Sequence, residues 1–266
     1  APGETIAIFA PSGVAQVLAM AAVLEFGGVL MTLDPDLPAD RRAVMLAQGR
    51  VARIVYGGAL SNAQMDWLRG LDLPRLAVTA EGADQEVPAF AADHFSPPNG
   101  PRDPAYLVFT SGSRGTPKAI LGTAGGLAHF LSWQRDRFAI GPGDRAAQFT
   151  GLSFDVLLRD VFAPLVSGAT LVIPPAHIGP ARVGALDWLD SAKITLVHSV
   201  PSILQSWLLT ARSGPHLSRL RLGFIAGEPF DAALLHRWQQ RFGQGTRLIN
   251  LYGPTETTLA KFAYEL

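Results

Sequence analysis

Short apolar runs alternate with longer helical stretches along almost the whole chain. Residues 5–9 (TIAIF), 29–34 (VLMTLD), 52–57 (ARIVYG) and 75–80 (RLAVTA) are brief apolar runs between turn-forming residues, which predicts buried strands. Between the first two, residues 13–26 predict a helix, with Ser12 placed to cap it and Gly27-Gly28 to end it. Pro38 suits the first turn of another helix, running to about Gln48. The segment 81–104, EGADQEVPAFAADHFSPPNGPRDP, has no period and is rich in Pro, Gly, Ala and acid, as a surface connection is. The alternation then resumes. Strands are predicted at 105–110, 118–121, 146–150, 170–173, 194–199, 222–226 and 246–251, and helices at 124–137, 156–167, 183–191, 202–210 and 231–242. Strands joined through helices pair in parallel. The expected fold is therefore α/β, a layered α/β/α core with largely parallel sheets. Residues 1–80 are expected to form a first α/β sheet unit, 81–104 a connection, and 105–266 a second unit that includes a glycine-rich loop.

Composition narrows the functional classes. The 266 residues are 48% hydrophobic, enough for one large domain or two small ones. Basic and acidic residues balance at 22 each, so no net field draws the chain to nucleic acid or to a membrane surface. The longest early apolar run, residues 14–24, is too short to span a bilayer and lacks the flanks of a signal peptide. Cysteine is absent, which excludes disulfides and thiolate metal sites and favours a reducing, cytoplasmic setting. The six histidines are scattered, with no metal-binding spacing.

The most informative stretch is LVFTSGSRGTPKAI, 107–120. Its glycines allow the backbone to turn several N–H groups toward one point, an anion-binding nest. The hydroxyls of Thr110, Ser111, Ser113 and Thr116 add donors, and Lys118 adds a point charge, with Arg114 as a second cation. Such a set suits a polyphosphate; the plainer alternative is a tight hairpin loop of solvated polar residues. It is not a Walker loop, because Pro117 separates Gly115 and Thr116 from Lys118, Ala119 follows the lysine, and a strand rather than a helix is predicted next.

TSGSRGTPK resembles the phosphate loop of the adenylate-forming superfamily: the adenylation domains of nonribosomal peptide synthetases, the acyl-CoA ligases and the luciferases. Arg114 and Ala119 depart from its usual Thr and Gly. NLYGPTETT, 250–258, resembles the adenine-and-magnesium motif of the same superfamily in the form typical of peptide synthetases. Its chemistry is legible: Asn250 offers an amide to the adenine edge, Tyr252 a ring to stack on it, Thr255 a donor to the α-phosphate, and Glu256 a hard oxygen ligand for Mg²⁺. Its plain reading is a strand end, a Gly-Pro turn and a surface glutamate. FGGVLMTLDPDLPADR (26–41), LSFDVLLRDVFAPLVSGATLVI (152–173) and FIAGEPF (224–230) look like further segments of such domains, so the resemblance covers nearly the whole chain.

The resemblance implies the large N-terminal subdomain of the adenylate-forming fold, lacking the small C-terminal subdomain. It implies an amino-acid substrate and ATP with Mg²⁺, reacting to an aminoacyl-adenylate. Loading onto the phosphopantetheine of a partner carrier protein follows, in a synthetase that also holds condensation domains. Thr110, Ser111, Gly112, Ser113, Gly115 and Lys118 would surround the β/γ-phosphates. Gly227, Asn250, Tyr252 and Thr255 would hold the remainder of ATP, with Thr255 and Glu256 as catalytic groups. The catalytic lysine and the ribose-binding aspartate are expected beyond Leu266, so residues 1–266 alone are expected to be inactive. The substrate pocket implied is Asp155, Val156, Arg159, Ser199, Phe224, Ala226, Leu251, Leu259 and Ala260, with Asp155 pairing with the substrate α-ammonium. Asp155 also has a simpler role open to it, capping a helix from residue 156. Arg159, four residues on and expected on the same helical face, either neutralises Asp155 or forks onto an acidic substrate side chain; the preferred expectation is an amino acid with an acidic or strongly hydrogen-bond-accepting side chain. Two further readings stay open: a non-catalytic adenylation module with a structural or docking role, and an acyl-CoA or aryl-acid ligase. The carboxylate at Asp155 argues against the last, since acids without an α-amine need no such partner.

Overall fold

A computed structural model describes residues 3–79, 82–83, 100–110, 117–211 and 217–266. The chain divides into two compact units: 1–128 with 151–155, and 129–150 with 156–266.

The first unit is built on a seven-stranded sheet. Its strands are β1 (Thr5–Phe9), β2 (Val29–Thr32), β3 (Arg53–Gly57), β4 (Arg75–Thr79), β5 (Gly82–Ala83), β6 (Pro104–Thr110) and β7 (Lys118–Thr123), in the order β5-β4-β3-β1-β2-β6-β7. Pairing is parallel except at the two edges, β4 with β5 and β6 with β7. Side-chain alternation divides the strands between two faces. Ala7, Phe9, Val29 and Met31 pack under α2 (Ala39–Gln48) and α3 (Asn62–Arg69), through Met45, Leu46 and Leu68. On the opposite face Ile6 and Val23 of α1 (Val14–Glu25) both border Gly28.

Three local readings change. The cap of α1 is Gly13, without a side-chain hydrogen bond, rather than Ser12. Helix α3 is absent from the predicted elements, although Ser61 and Gln64 carry the signal: each side chain accepts from the other's backbone N–H, a capping box. The strands flanking the glycine-rich loop join the first sheet, not the second unit. Leu30 and Met31 of β2 pair with Tyr106 and Leu107 of β6, and lateral pairing of this kind decides sheet membership whatever the sequence distance.

The second unit carries a six-stranded sheet. In chain order its elements are α4 (Ala124–Phe138, of which residues 129–138 belong here), β8 (Arg145–Ala147), α5 (Leu157–Val166), β9 (Thr170–Val172), α6 (Ala185–Ser191), β10 (Leu196–Ser199), α7 (Pro201–Thr210), β11 (Leu222–Ile225), α8 (Ala232–Phe242), β12 (Arg247–Tyr252) and β13 (Phe262–Glu265). The order is β13-β12-β11-β10-β8-β9, parallel except for β13. One face, through Ala147, Val197, Ile225 and Leu248, packs on Leu186, Leu189, Leu204, Trp207, Leu234 and Trp238 of α6, α7 and α8. Phe224 faces the other way, with Phe138 of α4 edge-on at 4.9 Å. Each unit thus has the helix–sheet–helix layering that the alternation predicts.

Asp144 ties together the amino ends of this sheet. Its Oδ1 accepts from Thr195 Oγ1 and Arg221 Nε, both at 2.8 Å, and its Oδ2 from Arg221 Nη2 at 2.6 Å and Gly141 N at 3.0 Å. Burial alone raises this carboxyl's pKa, but the bonds from Arg221, Thr195 and Gly141 outweigh it and hold the group below its ordinary value. Asp144 therefore contributes stability above the ordinary aspartate pKa and loses it as pH falls through the lower folded value. Asp144→Asn is expected to cost about 2 kcal/mol in urea denaturation at neutral pH, below the roughly 3–5 kcal/mol of a fully buried pair because Arg221 is partly open to solvent. The variant's deficit should shrink in acid; a deficit independent of pH would show that the charge is not what stabilises.

Candidate functional site

The glycine-rich loop is framed by a hairpin. Thr110, the last residue of β6, is the antiparallel partner of Lys118, the first of β7. Thr110 is half-buried and Lys118 exposed. Ser111, Gly112, Ser113, Arg114, Gly115 and Thr116 lie outside the described residues.

The second motif begins inside β12. Asn250 sits in the row Ser199–Ile225–Asn250–Tyr264 across β10, β11, β12 and β13. Tyr252 ends the strand 69% exposed, its ring 6.2 Å from that of its cross-strand partner Phe262. The chain then folds back on itself. Lys261 N donates to Tyr252 O at 2.8 Å, Thr257 N to Pro254 O at 2.9 Å, and Ala260 N to Thr258 O at 2.8 Å. Thr255–Thr257 form one 3₁₀ turn, and Thr258 and Leu259 take positive φ angles of 65° and 61°. Gly253 is where the returning strand touches: a Cβ there would stand 2.6 Å from the Cα of Ala260. The result is a closed loop with an exposed ring at its mouth and the Glu256 carboxylate on its outer turn. Strand β13, which closes it, is absent from the predicted elements; its four residues are all exposed, so no buried run marks them.

The neighbouring strand ends carry further candidates. Ala226 follows β11, its N–H donating to Ser199 O at 3.1 Å, and exposed Gly227 comes next. Glu228 has a role the sequence reading misses. Its carboxylate accepts from Ser202 N at 2.9 Å and Ser202 Oγ at 2.8 Å, capping α7. The Pro201-Ser202 start of that helix is the only sequence signal for it.

The proposed pocket residues do not share one face. Ser199 pairs with Ile225, which belongs to the core under α6, α7 and α8, and its buried Oγ has no hydrogen-bond partner among the described residues. Phe224 faces the opposite side, and its strand partner there is His198, whose ring stacks on it at 4.9 Å. The period-2 alternation of β10 thus puts His198, not Ser199, beside Phe224. Leu251 shares the Phe224 face by register and is buried, as is Leu259; Ala226 and Ala260 are half-buried.

Asp155 and Val156 lie in a turn, not a helix. Helix α5 starts at Leu157, and Val156, in right-handed helical conformation, is its N-cap, so Asp155 stands one residue ahead of the cap. Asp155 is half-buried. Arg159 is 2% exposed, and its Nε stands 3.8 Å from Oδ1 of Asp160, a carboxylate absent from the predicted site. That same Oδ1 is 2.9 Å from Nδ1 of His198, close but not in hydrogen-bond geometry, and Asp160 Oδ2 accepts from Thr150 N at 3.2 Å. On the other side of the ring, His198 Nε2 is 2.9 Å from the amide nitrogen of Gln134. With that nitrogen as donor, Nε2 is the acceptor and the imidazole proton sits on Nδ1, facing Asp160. Burial, then the Arg159 charge, lower the histidine pKa against the opposing pull of Asp160, so the ring is neutral. Gln134, Arg159, Asp160 and His198 form a buried polar cluster beneath Phe224 that periodicity alone reads as core.

Among the described residues no three His, Cys, Asp or Glu side chains converge as a metal cage. A single carboxylate at Glu256 fits Mg²⁺ all the same, since that ion takes one or two carboxylates and completes its shell with phosphate oxygens and water. No helix among the described residues is long and apolar enough to cross a membrane.

These features define a class: an open parallel-sheet α/β protein with its distinctive groups at the carboxyl ends of the strands, where such folds take ligands. Within it the chain belongs to the AMP-binding enzyme family, matched over residues 1–264. It is 32% identical over 265 residues to enterobactin synthase component F of Escherichia coli (strain K12), covering 97% of this chain and 19% of that protein. It is 28% identical to tyrocidine synthase 3 of Brevibacillus parabrevis, over 97% of this chain and 4% of that protein. The nonribosomal peptide synthetase FmoA3 matches the whole chain in structure at a TM-score of 0.83 and 28% identity, over 27% of its own length. The chain therefore spans about a fifth of enterobactin synthase component F and about a quarter of FmoA3.

Proposed function

We propose that this chain is the nucleotide- and amino-acid-binding core of an adenylation domain in a nonribosomal peptide synthetase. The observation that carries the reading is the closed 253–261 loop, which follows Asn250 and Tyr252 of β12 and carries Thr255 and Glu256. FmoA3 has been solved with AMPPNP and with α-methyl-L-serine-AMP, which supports ATP and an aminoacyl-adenylate as ligands of this fold.

In the proposed reaction a carboxylate oxygen of the amino acid attacks the α-phosphorus of ATP. The phosphoanhydride bond breaks, pyrophosphate leaves, and the adenylate forms. Tyr252 stacks on adenine with Gly227 against the ring, Asn250 reads the adenine edge, and Thr255 donates to the α-phosphate. Thr110, Ser111, Gly112, Ser113, Gly115 and Lys118 hold the β/γ-phosphates. Asp155 takes the α-ammonium, and Val156, Arg159, Ser199, Phe224, Ala226, Leu251, Leu259 and Ala260 surround the substrate. Bound at Glu256, Mg²⁺ would neutralise phosphate charge. The thiol of a carrier protein's phosphopantetheine then displaces AMP to give the thioester, and condensation domains use it. The lack of cysteine and of a membrane-crossing helix among the described residues supports a cytoplasmic setting.

Amino-acid-dependent exchange of pyrophosphate into ATP by the intact enzyme tests this reading. Glu256→Gln is expected to lower kcat about 10²–10³-fold, the scale for one electrostatic contact to the transition state. Lys118→Ala is expected to raise KM for ATP about tenfold, the loss of one charge-assisted contact. Exchange without any amino acid requirement, or unchanged by both substitutions, overturns the proposal.

A further inference from the structure

The buried cluster beneath Phe224 bears on the substrate, and the inference rests on the adenylation reading above. We infer that the pocket takes an amino acid with an uncharged side chain and rejects aspartate and glutamate, because the Arg159 charge is already answered within the fold by Asp160.

Arg159 looks at first like a selector for an acid, being a guanidinium in a largely apolar surround. Its surroundings argue otherwise. Asp160 is fully buried, its Oδ1 is 3.8 Å from Arg159 Nε, and Thr150 N holds its other oxygen. His198 adds no positive charge. One ring nitrogen accepts from Gln134, the other faces Asp160, and the ring is clamped against Phe224. The cluster of Gln134, Arg159, Asp160 and His198 therefore sums to zero. An acidic side chain entering beside it brings a second carboxylate into a low-dielectric site whose one cation is already engaged, and an uncompensated buried charge is strongly disfavoured. An uncharged side chain leaves the balance intact. Phe224 supplies an apolar wall, and Leu251 and Leu259 provide no charge for an acid to meet.

The test compares serine, alanine, valine, aspartate and glutamate in pyrophosphate exchange by the intact enzyme, with wild type and two variants. Wild type is expected to show kcat/KM at least tenfold higher for its best neutral amino acid than for either acid. Asp160→Asn removes the compensating charge without changing shape, and should narrow that ratio at least tenfold in favour of the acids. Arg159→Met leaves Asp160 uncompensated, and should keep neutral substrates preferred while lowering the acids further. This second variant keeps the test decisive if the first does not fold. A purely structural role for the cluster would lower all substrates alike and overturn the inference. Wild-type preference for aspartate or glutamate, abolished by Arg159→Met, also overturns it while leaving the adenylation reading intact. Exchange with no amino acid at all overturns both.

Discussion

Replacing Gly253 by alanine is expected to lower amino-acid-dependent pyrophosphate exchange by about a hundredfold while leaving both sheets folded. The added Cβ would lie 2.6 Å from Ala260 Cα, 2.8 Å from Lys261 N and 3.0 Å from Ala260 C. All three are backbone atoms, so no side chain can rotate away. Lys261 N is also the donor that closes the loop onto Tyr252 O. Accommodating the methyl group means opening that closure, which shifts Tyr252 on one side and the Thr255–Thr257 turn on the other. A displacement near 1 Å of groups that position reacting atoms costs on the order of 10²-fold in rate. The cost to folding is roughly 1–3 kcal/mol, the usual scale of overpacking, and is confined to one turn beside an edge strand. The check is exchange kinetics beside a thermal melt. Exchange near the wild-type rate would mean that the closed loop does not position the nucleotide.

Asp155→Asn should produce the other large effect. In the proposed function Asp155 is the partner of the substrate α-ammonium. Asn keeps the shape and removes the charge, leaving the ammonium without its partner ion. Truncating one member of a buried, hydrogen-bonded charge pair costs about 2–5 kcal/mol, so kcat/KM for amino acids is expected to fall about 30-fold to more than a thousandfold. The distinguishing readout is the acid lacking an α-amine. Its poor exchange should change little, because such an acid never makes the ammonium contact that the variant removes. KM for ATP should change little. The same fractional loss for acids with and without the amine would show that Asp155 shapes the turn ahead of α5 and does not read the amine.

Much of the architecture was open to direct reading because the local signals agree with the tertiary ones. The run TIAIF is short, apolar and bounded by turn residues, and it is a central strand of the first sheet. The residues proposed for the phosphate loop and the adenine motif are contiguous, so residue type and order suffice to propose them. What failed has a local signal too short to read or depends on partners outside the local window. The capping box of α3 was visible in Ser61 and Gln64, but its helix is only eight residues long, too short to establish a clear period. Strand β13 is exposed along its whole length and exists because β12 offers it an edge.

By itself, the sequence determined the alternation of strand and helix, the two motif segments and hence the family, because each is written in neighbouring residues whose spacing chemistry can interpret. Tertiary structure decided which strands share a sheet, so that β6 and β7 lie with β2, and which way each candidate side chain faces. A shift of one residue along a strand moves a side chain to the other face. That is why Ser199 turns to the core and His198 to Phe224. It also decided the charge of the buried cluster. Arg159 reads in one dimension as a lone cation near Asp155; only folding sets Asp160, His198 and Gln134 around one another, from α5, β10 and α4, and so determines what that cation is for.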